Sequence, residues 1–246
     1  MKHWNCFIVP LILLLAAHGM GAEKVVSLAT TEWEPYVGEK LENYGFTSEI
    51  ISEAFKRVGY KTKFSFKPPK RVMADVESGE YDGGYPAYYS DKRARRFDYS
   101  NPFAEGPLGF YKRKDRNISY RTLRDLAPYK IGVCLGFAYP KEFSAADYLQ
   151  KEVARDEKAN LRKLARRRID LFITDKLAAK AAINQFLPER KAVLEFMEPP
   201  LEIRKLHLIF GKRRGNERKR KDFNIGLKMI IEDGTVKRIM KKHGFE

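Results

Sequence analysis

From residue 24 the chain alternates short runs of strand character with amphipathic helical stripes, and near residue 129 the alternation begins again. KVVSLAT alternates apolar and polar residues as a half-buried strand does. The next stretch carries Phe46, Ile50, Ile51, Ala54, Phe55 and Val58 on one helical face, and Gly59 stops it. KTKFSFK reads as a second strand, RVMADVESGEYD as a short helix closed by Gly79, and YDGGYPAYY as a third strand. Strand, helix, strand, helix, strand is the grammar of a parallel sheet covered by helices, so the fold class is α/β.

In the second unit YKIGVCLG is a strand running into a glycine turn, and YPKEFSAADYLQKEV is expected to supply a helix. A helix, a strand at Ile169 to Thr174 and a further helix from near Asp175 follow. LHLIF is another strand, and FNIGLKMIIEDG and TVKRIMKKHG close the chain as helices. Extended segments near 104–112 and 199–206 join the two units, so the second is inserted into the first. The expected division is 23–108 for the first part of lobe 1, 109–202 for lobe 2 and 203–246 for the return to lobe 1. Lobes joined by paired strands can hinge, with a ligand in the cleft between them.

Residues 1–22, MKHWNCFIVPLILLLAAHGMGA, have a basic start, an apolar run and a small-residue exit. An apolar run of about 11 residues is short for a membrane span, so a cleaved secretory signal is expected, with an uncleaved anchor as the alternative. Its removal takes away Cys6 and leaves Cys134, which has no partner for an internal disulfide. Much of the formal net charge of +16 lies at KRKDR (112–116) and GKRRGNERKRK (211–221). An exported protein rarely meets nucleic acid, so these runs read as a solvated basic face, or as attraction to an anionic membrane or an acidic partner. Beyond the leader the soft metal ligands His207, His243 and Cys134 lie far apart, and no metal or cofactor is expected.

The stretch YDGGYPAYYSDKRARRFDYSNPF sets tyrosines beside four cations, a combination that suits an anionic or zwitterionic ligand. Trp33 and Tyr36, in the polar loop after the first strand, and Tyr85, Tyr88 and Tyr89 are the aromatic candidates. Alternation sends Tyr88 and Tyr89 opposite ways, one toward a cleft and the other into the core.

The order of EWEPYVGE, GFTSEIISEAF, SGEYDGGYPAYYSDKRARRFDYSNPF, YKIGVCLG, RRIDLFITDKLAA and DGTVKRIMKKHG resembles the family 3 extracellular solute-binding proteins, over about residues 24–244. The resemblance implies a two-lobed type II periplasmic-binding-protein-like fold, each lobe a mainly parallel sheet flanked by helices, with a two-strand hinge. It also implies a periplasmic receptor of an ABC importer, without catalytic machinery, and a monomer is expected. In amino-acid-binding members a small polar residue and an arginine three positions later grip the ligand carboxylate, and Ser90 and Arg93 stand there. The planar guanidinium fork matches a carboxylate, although Arg93 could instead pair with Asp91 or Asp98. An aspartate after a second-lobe strand takes the ligand amino group in those members, and Asp175 stands there, where it could equally cap the next helix.

The chain departs from that pattern at Tyr85-Pro86, and at Phe137 and Ala138, where such members commonly offer hydroxyls. Phe137 and Ala138 therefore join the candidate ligand contacts, and the solute stays open between an amino acid and a related small polar or zwitterionic molecule. Two rivals remain: a sensing module for a membrane receptor, and a dehydratase-like enzyme for which Glu32, Glu34 and Glu105 are the carboxylates on offer.

Overall fold

The computed structural model describes residues 24–245, and the expected signal segment lies outside the described residues. In lobe 1, β1 (Lys24–Thr30) leads through a long loop to α1 (Phe46–Arg57). Then come β2 (Tyr60–Phe66), α2 (Pro69–Ser78), β3 (Gly83–Tyr88), α3 (Asp91–Ala94) and β4 (Phe97–Tyr99). β5 (Ala104–Arg113) crosses to lobe 2, which contains β6 (Lys130–Cys134), α4 (Lys141–Ala145), β7 (Gln150–Ala154) and α5 (Glu157–Ala165). β8 (Leu171–Asp175), α6 (Lys176–Phe186) and β9 (Leu194–Phe196) complete that lobe. β10 (Glu202–Gly211) returns to lobe 1, where α7 (Asn216–Glu232) and α8 (Thr235–Lys242) finish the chain.

The strands follow one hydrogen-bonded path, β2-β1-β3-β10-β5-β8-β6-β7, with β4 on β10 and β9 on β5. Within lobe 1, β1 is parallel to β2 and β3; within lobe 2, β6 is parallel to β7 and β8. The link between lobes is antiparallel: β10 pairs β5 from Glu202 opposite Leu108 to Leu206 opposite Ala104. Beyond this short ribbon β10 continues against β3, and β5 continues against β8 with Leu108 opposite Asp175. The hinge strands therefore end beside the residues that face the cleft.

In each lobe the sheet is covered on both faces. Leu28, Phe46, Ile50, Phe55, Phe210, Phe223 and Ile230 fill one face of lobe 1, and Ala29, Val72, Val76, Phe97 and Ile209 the other. In β8, Leu171 and Ile173 point to one lobe-2 cluster and Phe172 to the opposite one, as strand alternation requires. Ala178, Leu177 and Ala138 of lobe 2 pack against the lobe-1 cluster, so the two lobes touch.

The stretch 140–154 corrects the expectation of one helix. Only Lys141–Ala145 is helical, and Gln150–Ala154 is an edge strand registered on Lys130–Cys134. A mostly polar edge strand buries little, and Val153 at 60% exposed supplies no apolar stripe by which to tell strand from helix. At the other end of the chain, the basic run continues into a helix, since Asn216 to Lys221 form the first turns of α7.

α1 and α7 approach each other at Gly226, where an added Cβ would stand 1.9 Å from the Ala54 carbonyl oxygen. Helix propensity alone favours Gly226→Ala by about 1 kcal/mol, but overpacking against backbone costs about 1–3 kcal/mol. Gly226→Ala is expected to lower the melting temperature by several degrees; a rise would mean that the two helices do not meet there.

Candidate ligand-binding cleft

The loop after β1 is folded tightly enough to aim two rings across the cleft. Trp33 and Val37 exchange backbone hydrogen bonds, and the Tyr36 carbonyl accepts from both the backbone N–H and the hydroxyl of Thr47 at the start of α1. Gly45, at φ +91°, allows that approach, since a Cβ there would lie 2.6 Å from the Tyr36 carbonyl oxygen. Trp33 stacks on Tyr36 at 4.5 Å, and the edge of Tyr88 meets Trp33 at 5.8 Å.

These rings carry their hydroxyls to Asp175. The carboxylate is 2% exposed, and it caps α6 through the N–H groups of Leu177 and Ala178, both 2.9 Å from Oδ1. The Tyr36 hydroxyl reaches both oxygens at 3.0 and 2.9 Å, and the Tyr88 hydroxyl donates to Oδ2 at 3.2 Å. Of the two roles that the sequence offers Asp175, helix cap and ligand contact, the structure shows the cap, and it adds a contact to two tyrosine hydroxyls from the other lobe. Burial pushes its pKa up to about 6, an effect that the four donors only partly offset. Nearby, the half-buried Glu157 in the first turn of α5 accepts from the Thr174 hydroxyl at 2.5 Å. Burial, with the Asp175 charge adding to it, raises its pKa to about 7. The Trp33 indole N–H is close enough to Glu157 to favour the carboxylate, yet it is buried without an aligned hydrogen bond.

The opposite sign gathers at the other end of the cleft. Arg93 donates to the carbonyl of Tyr88 at 3.2 Å and, across the cleft, to that of Gly136 at 3.1 Å. It pairs with neither Asp91 nor Asp98, and burial, followed by repulsion from Arg204 and Arg96, lowers its pKa. Arg204, 7% exposed, makes a parallel bridge from the hinge strand, to the carbonyls of Tyr89 at 2.7 Å and Ala138 at 2.6 Å. Its guanidinium stands 4.6 Å from the centre of the Tyr88 ring, with Glu202 distant at 3.9 Å.

The cleft thus brings together Trp33, Tyr36, Tyr88, Arg93, Ala138 and Asp175 of the residues expected from sequence. Ser90 stands at its rim as the cap of α3, accepting from the Arg93 N–H at 3.3 Å. Tyr85 is a correction: at 1% exposed it lies inside lobe 1, its hydroxyl 2.9 Å from that of Ser48 and its ring against Phe64, because its bulk fills the space between β2 and α1. Phe137 packs against the lobe-2 cluster around Leu161 and Phe172, so its apolar ring serves that core. Tyr89 is not core; β3 has ended, and it is 48% exposed against Tyr99. Sequence reasoning missed Arg204 and Glu157. For Arg204 a signal existed, because it shares strand parity with buried Leu206 while Ile203 and Lys205 are exposed. Glu157 offered none, since an acidic residue in a first helical turn is ordinary.

The sequence profile described as bacterial extracellular solute-binding proteins, family 3, matches residues 26–246. The probable amino-acid-binding protein YxeM of Bacillus subtilis (strain 168) is 22% identical over 257 residues, covering 99% of this chain and 95% of that protein. The L-cystine-binding protein TcyJ of Escherichia coli (strain K12) is 26% identical over 206 residues, covering 80% and 73%. Among solved structures, an ancestral arginine-binding protein bound to arginine superposes with a TM-score of 0.74 at 23% identity, over 89% of this chain and 98% of that one. A histidine kinase sensor domain with similarity to periplasmic binding proteins gives 0.78 at 17% identity, over 90% and 96%. At such identities these structures show a shared type II periplasmic-binding-protein fold.

Asp175 titrates near 3.8 when unperturbed and near 6 in the fold. Between those values the folded chain keeps a proton that the unfolded chain has released, so this group's contribution to stability falls as pH rises, by a total on the order of 3 kcal/mol. Asp175→Asn removes that slope. The melting temperature of the variant minus that of the wild type is therefore expected to increase from pH 4 to pH 7 in a thermal scan. A difference that stays flat would contradict a raised pKa.

Proposed function

The chain belongs to the bacterial extracellular solute-binding proteins of family 3, and from that premise we propose that it captures a small zwitterionic solute, an amino acid or a close relative, between its lobes and delivers it to an ABC importer. One observation carries the reading. In a chain with 48 Lys and Arg against 32 Asp and Glu, the cleft arginines bond mainly to carbonyls and the cleft carboxylates mainly to hydroxyls and N–H groups. Opposite charges left largely uncompensated by each other, at two ends of one cleft, suit a molecule carrying both signs.

In this reading the solute carboxylate takes the fork of Arg93, with Ser90 at the strand end beside it, and its ammonium approaches Asp175. Tyr36 and Tyr88 donate to the same carboxylate, and in this reading their hydroxyls turn aside or share it when the solute ammonium binds. Lobe 1 comprises residues 23–108 and 203–246 and lobe 2 residues 109–202, hinged on the β5–β10 ribbon. Binding favours the closed state because only there do both lobes meet the ligand. The names of YxeM and TcyJ support an amino-acid-type solute and a receptor rather than an enzyme. The leader 1–22 would place the receptor in the periplasm.

The test is a thermal-shift series on refolded, ligand-free protein against amino acids, small carboxylates, polyamines and sugars, repeated with Arg93→Ala. A ligand at 100 times its Kd stabilises by about 2.7 kcal/mol, a rise of several degrees. At least one α-amino acid or similar zwitterion is expected to give that rise, and Arg93→Ala to abolish it while remaining folded. A shift only with polyamines or sugars, indifferent to Arg93, would contradict the proposal.

A further inference from the structure

The receptor reading leaves one cleft carboxylate without a task. Asp175 is engaged by two helix N–H groups and two tyrosine hydroxyls. Glu157 accepts one hydrogen bond, from Thr174, and that bond uses Oε1. An ionised carboxylate has about four acceptor positions, so most of its capacity is left over.

No cation of the described residues answers it. The neighbouring cations are turned elsewhere: Arg155 donates to Asp156 at 2.8 Å, Lys151 to the Ser144 carbonyl at 2.9 Å, Lys158 lies over the Phe186 ring at 4.1 Å, Lys163 reaches Glu152 at 3.2 Å, and Lys176, beyond Thr174, pairs with Glu198. The titratable groups that do act on Glu157 or feel its charge are Asp156, Asp175, Tyr36, Cys134 and Tyr139, none of them cationic. Across the cleft stands the buried indole N–H of Trp33, itself without an aligned acceptor. A surface glutamate lacks a cation because water solvates it. Here a partly desolvated carboxylate stands at the boundary between the lobes with acceptor positions to spare and only a neutral indole N–H across from it, and a donor-rich cationic group of a solute would fill those positions.

We propose that Glu157 is a specificity-determining residue that receives a second cationic group of the solute, so that the receptor selects zwitterions with a positively charged side chain. The assignment rests on the receptor reading above. Arg93 takes the carboxylate, Asp175 with its two tyrosines the α-ammonium, and Glu157 beside Thr174 the distal ammonium or guanidinium. The Trp33 and Tyr36 rings cover the carbon chain between them.

Matched probes separate charge from shape. L-arginine and L-citrulline differ in side-chain charge at nearly equal size, and isothermal titration of each against the refolded full chain reads the discrimination directly. The wild type is expected to prefer L-arginine by about tenfold or more, as a charge-assisted hydrogen bond implies. Glu157→Gln should bring that ratio to near one while leaving L-citrulline affinity within about twofold. Glu157→Asp, which keeps the charge but withdraws it, should give an intermediate ratio and guards against a variant that fails to fold. Equal binding of the two probes by the wild type, or a preference that survives Glu157→Gln, overturns the assignment. So does binding of a neutral amino acid with neither probe bound. Failure of every α-amino acid to bind would instead overturn the receptor reading, and Glu157's role with it.

Discussion

The structure turns on one buried carboxylate shared between two lobes. Asp175 ends β8, and its Oδ1 holds the first N–H groups of α6, so the side chain is fixed before anything approaches from across the cleft. Tyr36 and Tyr88 then reach it from lobe 1. The hinge strand makes room for this meeting at Gly106, where a Cβ would lie 2.2 Å from both Asp175 Oδ2 and the Tyr36 hydroxyl. A glycine in a strand weakens the strand, and here close approach supplies its reason. The residue that shapes the site is therefore in neither loop that presents the site's side chains.

Closure of this kind is reversible by construction. Across the cleft run hydrogen bonds from Tyr36, Tyr88, Arg93 and Arg204, each to or from a charged group and worth about 1.5–3 kcal/mol net because water replaces it on opening, beside the apolar contacts of Ala138, Leu177 and Ala178. The lobes themselves are held by large aromatic and aliphatic clusters and do not depend on those bonds. A solute that binds both faces need supply only a modest difference in affinity between open and closed states to set the population. The paired arginines add direction: each has one hand on the end of β3 and the other on the turn at 136–138, so the turn is drawn toward lobe 1 at the same two points.

Much of this was legible in the sequence, and the parts that were not share a cause. The strand and helix order of the first lobe follows from periodicity and from Gly59 and Gly79, both at positive φ where expected. Position and chemistry single out Arg93, Asp175, Trp33 and Tyr36, and the fold sets all four along the boundary between the lobes. Tyr85 and Tyr88 look equivalent in YDGGYPAYY, but one is enclosed by α1 and β2 while the other emerges at the strand end, and composition cannot separate them. β7 was hidden because an edge strand carries little apolar pattern, and Glu157 because its setting is made by residues from three other elements. What local pattern encodes was readable; what tertiary neighbours create was not.

The central claim, that the lobes close by hydroxyl contacts on Asp175, is tested most directly by a distance measurement between them. Spin labels at exposed Lys40 in lobe 1 and exposed Arg155 in lobe 2, in a chain whose native cysteines are replaced by serine, report lobe separation by pulsed electron resonance. Ligand-free protein is expected to populate a short-distance, closed state, and Tyr36→Phe with Tyr88→Phe to shift that population toward longer distances. A distance distribution unchanged by removing both hydroxyls would contradict the account.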